Sequence, residues 1–215
     1  PGQGTFTVNP VTGVVTFTPV LNFNGPVTPI TYAVCDTGTP LPTQCDDATI
    51  TVTVTNLNDA PVANNDVATT PEDTPVTIPV LANDTDTDGT LDPATIDLDP
   101  ATAGVQTTFT VPGQGTFTVN PVTGVVTFTP VLNFNGPVTP ITYAVCDNGT
   151  PLPAQCDDAT ITVTVTPAND PPVANNDTQS TPEDTPVTFN PLANDSDADG
   201  MLDPATRSEE HTSEL

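Results

Sequence analysis

The residues best suited to chemistry form an alternating acidic run, Asp84-Thr-Asp86-Thr-Asp88-Gly89-Thr-Leu-Asp92. It is echoed by Asp195-Ser-Asp197-Ala-Asp199-Gly200-Met-Leu-Asp203. Carboxylates at every second position, followed by glycine for a sharp turn, let hard oxygen ligands converge on one cation. Calcium takes about six to eight oxygens at about 2.3–2.6 Å and tolerates a flexible loop better than magnesium does. Two carboxylates about 4 Å apart near a surface repel by about 4 kcal/mol, so three without a cation would splay the loop. The run therefore reads as a calcium loop, with a solvated acidic loop as the alternative.

Its spacing is similar to the first half of an EF-hand, but the twelfth position is Thr95 where a glutamate is required, and no flanking helices are expected. The EF-hand is excluded. The cysteines offer a second chemistry. Cys35 and Cys45, like Cys146 and Cys156, lie ten positions apart, one closing an apolar strand and the other opening the next. In a hairpin each pair meets at the base of the loop, where a disulfide contributes about 2–3 kcal/mol. Free buried thiols are the alternative, and a zinc site lacks nearby histidines or a second cysteine pair. A disulfide implies an oxidising compartment.

These motifs recur because the chain repeats itself. Residues 1–59 and 112–170 differ only at Thr37/Asn148, Thr43/Ala154, Asn56/Pro167 and Leu57/Ala168, and 171–206 match 60–95. A period of about 110 residues suits a whole domain with one modest core rather than a solenoid unit. The reading is the C-terminal part of one repeat (1–59), a complete repeat (60–170) and the N-terminal part of a third (171–206). The last nine residues, 207–215, leave the pattern and resemble the read-through translation of a sequencing adapter; a genuine polar tail is the alternative.

Within the complete repeat, apolar and threonine residues alternate with period two, which predicts strands over 76–81, 95–98, 105–111, 116–119, 125–129, 141–146 and 159–166. No window carries a helical stripe, and 27 prolines would interrupt most of them. Seven short strands in about 110 residues predict an all-β, Ig-like antiparallel sandwich. Phe117, Val119, Phe128, Tyr143, Val145, Ile161 and Val163 are the expected core. The boundaries fall at the short, proline-stiffened linkers 58–66 and 169–177, so neighbouring repeats share a joint.

Of 27 acidic groups, three (Glu209, Glu210, Glu214) lie in the last nine residues, as do the single arginine and the single histidine. Residues 1–206 thus hold 24 carboxylates and no basic side chain. Nucleic acid and anionic membranes are poor partners for this surface. Clustered carboxylates must be solvated, hydrogen-bonded or metal-bound. No stretch approaches the roughly 18 apolar residues of a transmembrane span. With no histidine outside 207–215 and the cysteines better used as bridges, a catalytic role is not expected.

Read from Pro71, the repeat resembles an extracellular cadherin domain along nearly its whole length. Pro71-Glu72-Asp-Thr-Pro-Val resembles the family's Pro-Glu-Asn opening, and Ala82-Asn-Asp84-Thr-Asp86-Thr-Asp88-Gly89 its Asp-x-Asp loop. Phe117-Thr-Val-Asn-Pro-Val-Thr-Gly-Val-Val is similar to the strand-turn-strand before the Leu-Asp-Arg-Glu motif. Tyr143-Ala-Val-Cys-Asp147 resembles the penultimate strand, and Ile161-Thr-Val-Thr-Val leads to the Asn-Asp-Pro linker. The form is similar to cadherin-like tandem repeats of large bacterial surface and secreted proteins.

The resemblance implies calcium at each joint. The first joint would use Asn58, Asp59, one or two of Asp84, Asp86 and Asp88, and Asp147. The second would use Glu72, Asn169, Asp170 and two of Asp195, Asp197 and Asp199. Two departures argue for one or two ions per joint rather than three. Leu132-Asn-Phe-Asn135 stands where the family has Leu-Asp-Arg-Glu, and the linker's leading Asp is Asn56 in one copy and Pro167 in the other. Strand exchange through an N-terminal tryptophan does not carry over, because the chain has none. The expected function is a non-catalytic, calcium-stiffened stalk or adhesion module of an extracellular or cell-surface protein. Its partners would be neighbouring repeats and another surface protein or glycan. The alternative is a set of spacer repeats in a large secreted enzyme.

Overall fold

A computed structural model describes residues 2–149 and 152–206, so the expectation for 207–215 lies outside the described residues. In residues 2–59 the strands are β1 (Gly4–Val8), β2 (Val15–Pro19), β3 (Gly25–Pro26), β4 (Ile30–Cys35), β5 (Cys45–Ile50) and β6 (Thr53–Val54). The complete repeat holds β7 (Asp66–Pro71), β8 (Val76–Ile78), β9 (Leu91–Asp97), β10 (Thr108–Val111) and β11 (Gly115–Val119). It continues with β12 (Val126–Pro130), β13 (Gly136–Pro137), β14 (Ile141–Asp147) and β15 (Cys156–Thr166). Among the described residues, two single turns of 3-10 helix occur, at Val80–Ala82 and Pro204–Thr206. No helix among the described residues is long and apolar enough to cross a membrane.

Two sheets face each other across the complete repeat. One is the antiparallel ladder β10-β11-β12-β8; the other runs β13-β15-β14-β9, with β7 joined to β15. Seven of these strands meet the expected segments. β7 and β13 were not expected, and the β7–β15 pairing is parallel, from Ile161↔Asp66 to Thr166↔Pro71. β8 is shorter than expected because Pro79 has no N–H to give a ladder, and the chain turns into 3-10 helix immediately after it. The turn expected at 120–124 is present: Asn120 N–H donates to Val125 O at 3.0 Å and Gly124 N–H to Asn120 O at 2.8 Å.

The seven expected core residues are all buried, joined by Ile78, Val80, Ile96 and Leu98. Phe117 and Phe128 are register partners with ring centroids 4.6 Å apart. Gly115 makes room for this pair, since a Cβ there would sit 2.4 Å from Phe128 Cζ. In residues 2–59 the strands that cover this face have no counterpart. Tyr32 is accordingly 45% exposed, whereas its equivalent Tyr143 is fully buried.

Both disulfides are formed, Cys35–Cys45 across β4–β5 and Cys146–Cys156 across β14–β15. Each joins directly opposed residues of its hairpin, with Cα atoms 4.0 and 3.9 Å apart. This is the geometry that period-two strands with a loop between them impose. No free cysteine occurs among the described residues.

Candidate calcium joints

At the first joint the linker lies against three loops of the complete repeat. Asn58 is buried; its Nδ2 donates to Asp147 Oδ2 at 2.6 Å and to Pro153 O at 3.1 Å, and its carbonyl accepts from Gln155 Nε2. Asp147, at the end of β14, also accepts from Gly149 N–H at 2.6 Å and Gln155 N–H at 3.1 Å through Oδ1. Burial works against ionisation of Asp147, but these donors from Asn58, Gln155 and Gly149 outweigh it and hold its pKa below the ordinary carboxylate value. Both oxygens of Asp147 accept from protein donors, and through Asn58 the residue orients the linker.

The acidic run divides in two. Asp86 Oδ1 accepts from Asp88 N–H at 3.1 Å and Gly89 N–H at 3.0 Å, folding the loop back on itself. Asp88 Oδ1 accepts from the linker's Asp59 N–H at 3.1 Å. The loop that carries Asp86 and Asp88 is therefore tied to the linker that carries Asn58 and Asp59. Asp84 takes no part in this contact. The bridge between Val62 and Thr85 carries it inward, where Oδ1 accepts from Asn64 N–H at 2.7 Å and Oδ2 from Tyr143 OH at 2.9 Å. Of the three alternating carboxylates, Asp84 is the one tied to the domain body.

Two oxygens at this joint are left over. Asn58 Oδ1 and Asp86 Oδ2 are buried and have no hydrogen-bond donor. A Cβ at Gly89 would lie 3.0 Å from Asp86 Oδ2 and 3.0 Å from Asn148 Oδ1, so glycine keeps a small space open between two acceptors. Buried acceptors without donors cost about 1–3 kcal/mol each, a cost that a bound cation removes. Asn148 was not singled out from sequence. It differs between the copies (Thr37), and its relevance depends on the loop bringing it to Gly89. No group of three or more Asp, Glu, Cys or His side chains suited to a metal occurs among the described residues. The donor set is mixed, carboxylate with amide, which suits calcium rather than a transition metal.

The second joint repeats the plan. Asp170 N–H donates to Asp199 Oδ2 at 2.6 Å, and Asp197 Oδ1 accepts from Asp199 N–H at 3.1 Å. Asp195, like Asp84, turns away to accept from Asn175 N–H at 2.7 Å. Buried Glu72 is clamped to the linker: Oε1 accepts from Ala168 N–H at 2.6 Å and Oε2 from Asn135 Nδ2 at 3.3 Å. Asn169 is exposed and its amide donates to Asp170 O at 3.0 Å. Partial burial, then the charges of Asp199, Asp73, Glu72 and Asp197, raise the pKa of Asp170. Asp73, absent from the sequence-derived set, joins this field; its Oδ1 also accepts from Asn133 N–H at 2.8 Å.

Behind the first joint, Asp66 and Asp84 share Tyr143. Burial and then the charge of Asp84 push Asp66 up to about 6, against hydrogen bonds from Tyr143 and Asn83. Burial likewise raises Asp84. Both folded pKa values lie above the unfolded value near 3.9, so protonation favours the fold. In EDTA, stability should rise as pH falls from about 7 towards 4. It should fall again below that as Asp147, whose folded pKa is lowered, loses its charge. Urea midpoints at pH 7.5, 6, 5 and 3 check this, and Asp66→Asn should flatten the rise.

Residues 58–166 and 169–213 match the bacterial Ig domain family, and the chain belongs to that family. The fold is also similar to solved cadherin ectodomains. For mouse cadherin-23 EC22-24 the identity is 19% and the TM-score 0.46, over 77% of this chain and 50% of that one. For human CDH23 EC21-23 they are 21% and 0.48, over 86% and 62%. The chain thus spans about half to three fifths of the length of these structures. No curated protein sequence matches it.

Proposed function

We propose that this chain is part of a non-catalytic, extracellular repeat array whose joints are stiffened by calcium, serving as a stalk or adhesion module. The observation that carries the reading is the pair of buried acceptors without donors, Asn58 Oδ1 in the linker and Asp86 Oδ2 in the loop, two segments that the Asp59 N–H to Asp88 Oδ1 hydrogen bond joins. Calcium supplies charge neutralisation and a shared ligand for linker and loop. Asn58, Asp59, Asp86 and Asp88 would hold it at the first joint. Glu72, Asp170, Asp197 and Asp199 would do so at the second. Asp147 fixes Asn58 so that its free oxygen is presented, and the Asp88–Asp59 contact sets the linker's direction. The two disulfides, and the absence of basic side chains from residues 1–206, suit an oxidising, calcium-rich exterior.

The affinity expected of extracellular modules is about 10⁻⁴–10⁻³ M. At 10 mM calcium, linkage then adds about 1.4–2.7 kcal/mol, a rise of about 5–15 °C in melting temperature. Calorimetry and small-angle scattering of the chain in calcium and in EDTA test the reading. A higher melting temperature with a longer, stiffer particle is expected; identical curves would sink it.

A further inference from the structure

One sheet edge of the complete repeat is left open beside Thr142. In β14 the odd-numbered residues turn their backbone groups to β15, as the bond from Asp147 N–H to the opposed Gln155 O at 2.9 Å shows. Those of the even-numbered residues therefore face β9. β9 follows this edge only as far as Asp97, which lies opposite Ala144. The ladder stops there for a local reason. Asp97 Oδ1 takes the next N–H that could cross, that of Asp99, at 2.9 Å, and also accepts from Gln106 N–H at 3.0 Å. Pro100 has no N–H to offer, and Pro140, just before β14, has none either. The N–H and C=O of Thr142 thus meet no protein partner among the described residues.

They open into a groove of about 430 Å³. Its lining is mostly apolar: Leu98 and Ile141 are buried and Phe109 is half-buried, with Pro100 and Pro140 beside them. Half-buried Asp99 and exposed Asp158 add two carboxylates. The wall is preformed, since Leu98 N–H donates to Gln106 O and Thr102 N–H to Asp99 O, both at 2.9 Å.

We propose that this groove takes an extended peptide segment of another protein, added as a strand beside Thr142, with basic and apolar residues in alternation. An unpaired strand edge recognises backbone, which singles out a peptide as the occupant. Side chains of the added strand alternate between the two faces of the sheet. Those on either side of the residue opposite Thr142 point inward, as Ile141 and Tyr143 do, and meet Leu98 and Phe109; they are apolar. The residue opposite Thr142 points outward, on the face that carries Asp158, and is lysine or arginine. Charge decides against a second copy of this chain. Residues 1–206 hold no basic side chain, so two copies would set carboxylates against carboxylates. Every residue of the groove lies within the complete repeat, away from the joints, and the inference stands apart from the calcium reading.

The test uses the whole chain in EDTA and the peptide acetyl-Lys-Val-Lys-Val-Lys-amide. A control peptide has the same composition in the order Lys-Lys-Lys-Val-Val. In a nitrogen-15 NMR titration the alternating peptide should shift the amides of Phe109, Thr142 and Asp158 saturably and slow hydrogen exchange at Thr142. The control should bind about tenfold more weakly. Asp99→Asn with Asp158→Asn should weaken binding about tenfold at low salt, and by less at high salt. Thr142→Pro removes an N–H that the fold does not use; it should abolish binding and leave the urea midpoint close to that of the unmodified chain. Should that variant not fold, the two asparagine substitutions, which keep an oxygen in place, decide alone. No saturable shift, equal binding of the two peptides, or an affinity untouched by the asparagine substitutions would overturn the proposal. Self-association of the peptide-free chain that Thr142→Pro abolishes would overturn it in favour of a second copy.

Discussion

Phe128→Ala should remove about 3–5 kcal/mol from the complete repeat, the range for truncating a buried aromatic. Phe128 is fully buried, pairs with Phe117 across β11–β12, and lies against the bare backbone of Gly115. Alanine would leave a cavity that the paired sheets cannot close, because the ladder fixes the spacing of the flanking strands. A domain of this size is stable by only about 5–15 kcal/mol, so the variant should unfold at much lower urea. Val67→Ala provides the control. Val67 is 78% exposed on β7, and its loss should change stability by less than about 0.5 kcal/mol. Urea melts followed by circular dichroism compare the two, and equal costs would refute the assigned core.

Replacing Cys146 and Cys156 together with serine should cost about 2–5 kcal/mol, since the bridge closes the β14–β15 loop in the unfolded chain as well as the folded one. The effect should reach the joint. Asp147 follows Cys146, and Gln155 precedes Cys156; both hold the linker through Asn58. The variant should therefore melt lower in EDTA and also gain less from calcium than the unmodified chain. The equivalent Cys35→Ser, Cys45→Ser variant keeps the first-joint residues Asp147 and Gln155 in place and should retain that gain. Calorimetry of both variants with and without calcium makes the comparison. A Cys146/Cys156 variant with an unchanged calcium increment would separate the bridge from the joint.

The seven strands that carry an apolar alternation were legible because their inward residues are large. β7 was not, and its side chains show why. It turns Asp66, Ala68 and Thr70 inward and leaves Val67 outside, the reverse of the hydrophobic pattern. Its stability comes from a partner 95 positions away on β15, which no local window contains. The acidic loop was legible as a loop, and its glycine as a turn. The fate of Asp84 was not, because the Val62–Thr85 bridge that draws it towards Tyr143 forms between segments more than 20 residues apart. Likewise the roles of Asn148 and Asp73 arise from loops meeting. Their residue types alone, common polar groups in a chain rich in them, carry no such signal.

The parallel pairing of β7 with β15 has a mechanical consequence. The chain enters the repeat through β7 and leaves it through β15, and six opposed rows join these two strands running side by side in the same direction. Tension along the array pulls the beginning of one strand against the end of the other. All six rows then share the load in shear, rather than parting one at a time as a hairpin would when peeled from its open end. The weakest-looking strand in the sequence is the one through which each repeat resists being pulled apart.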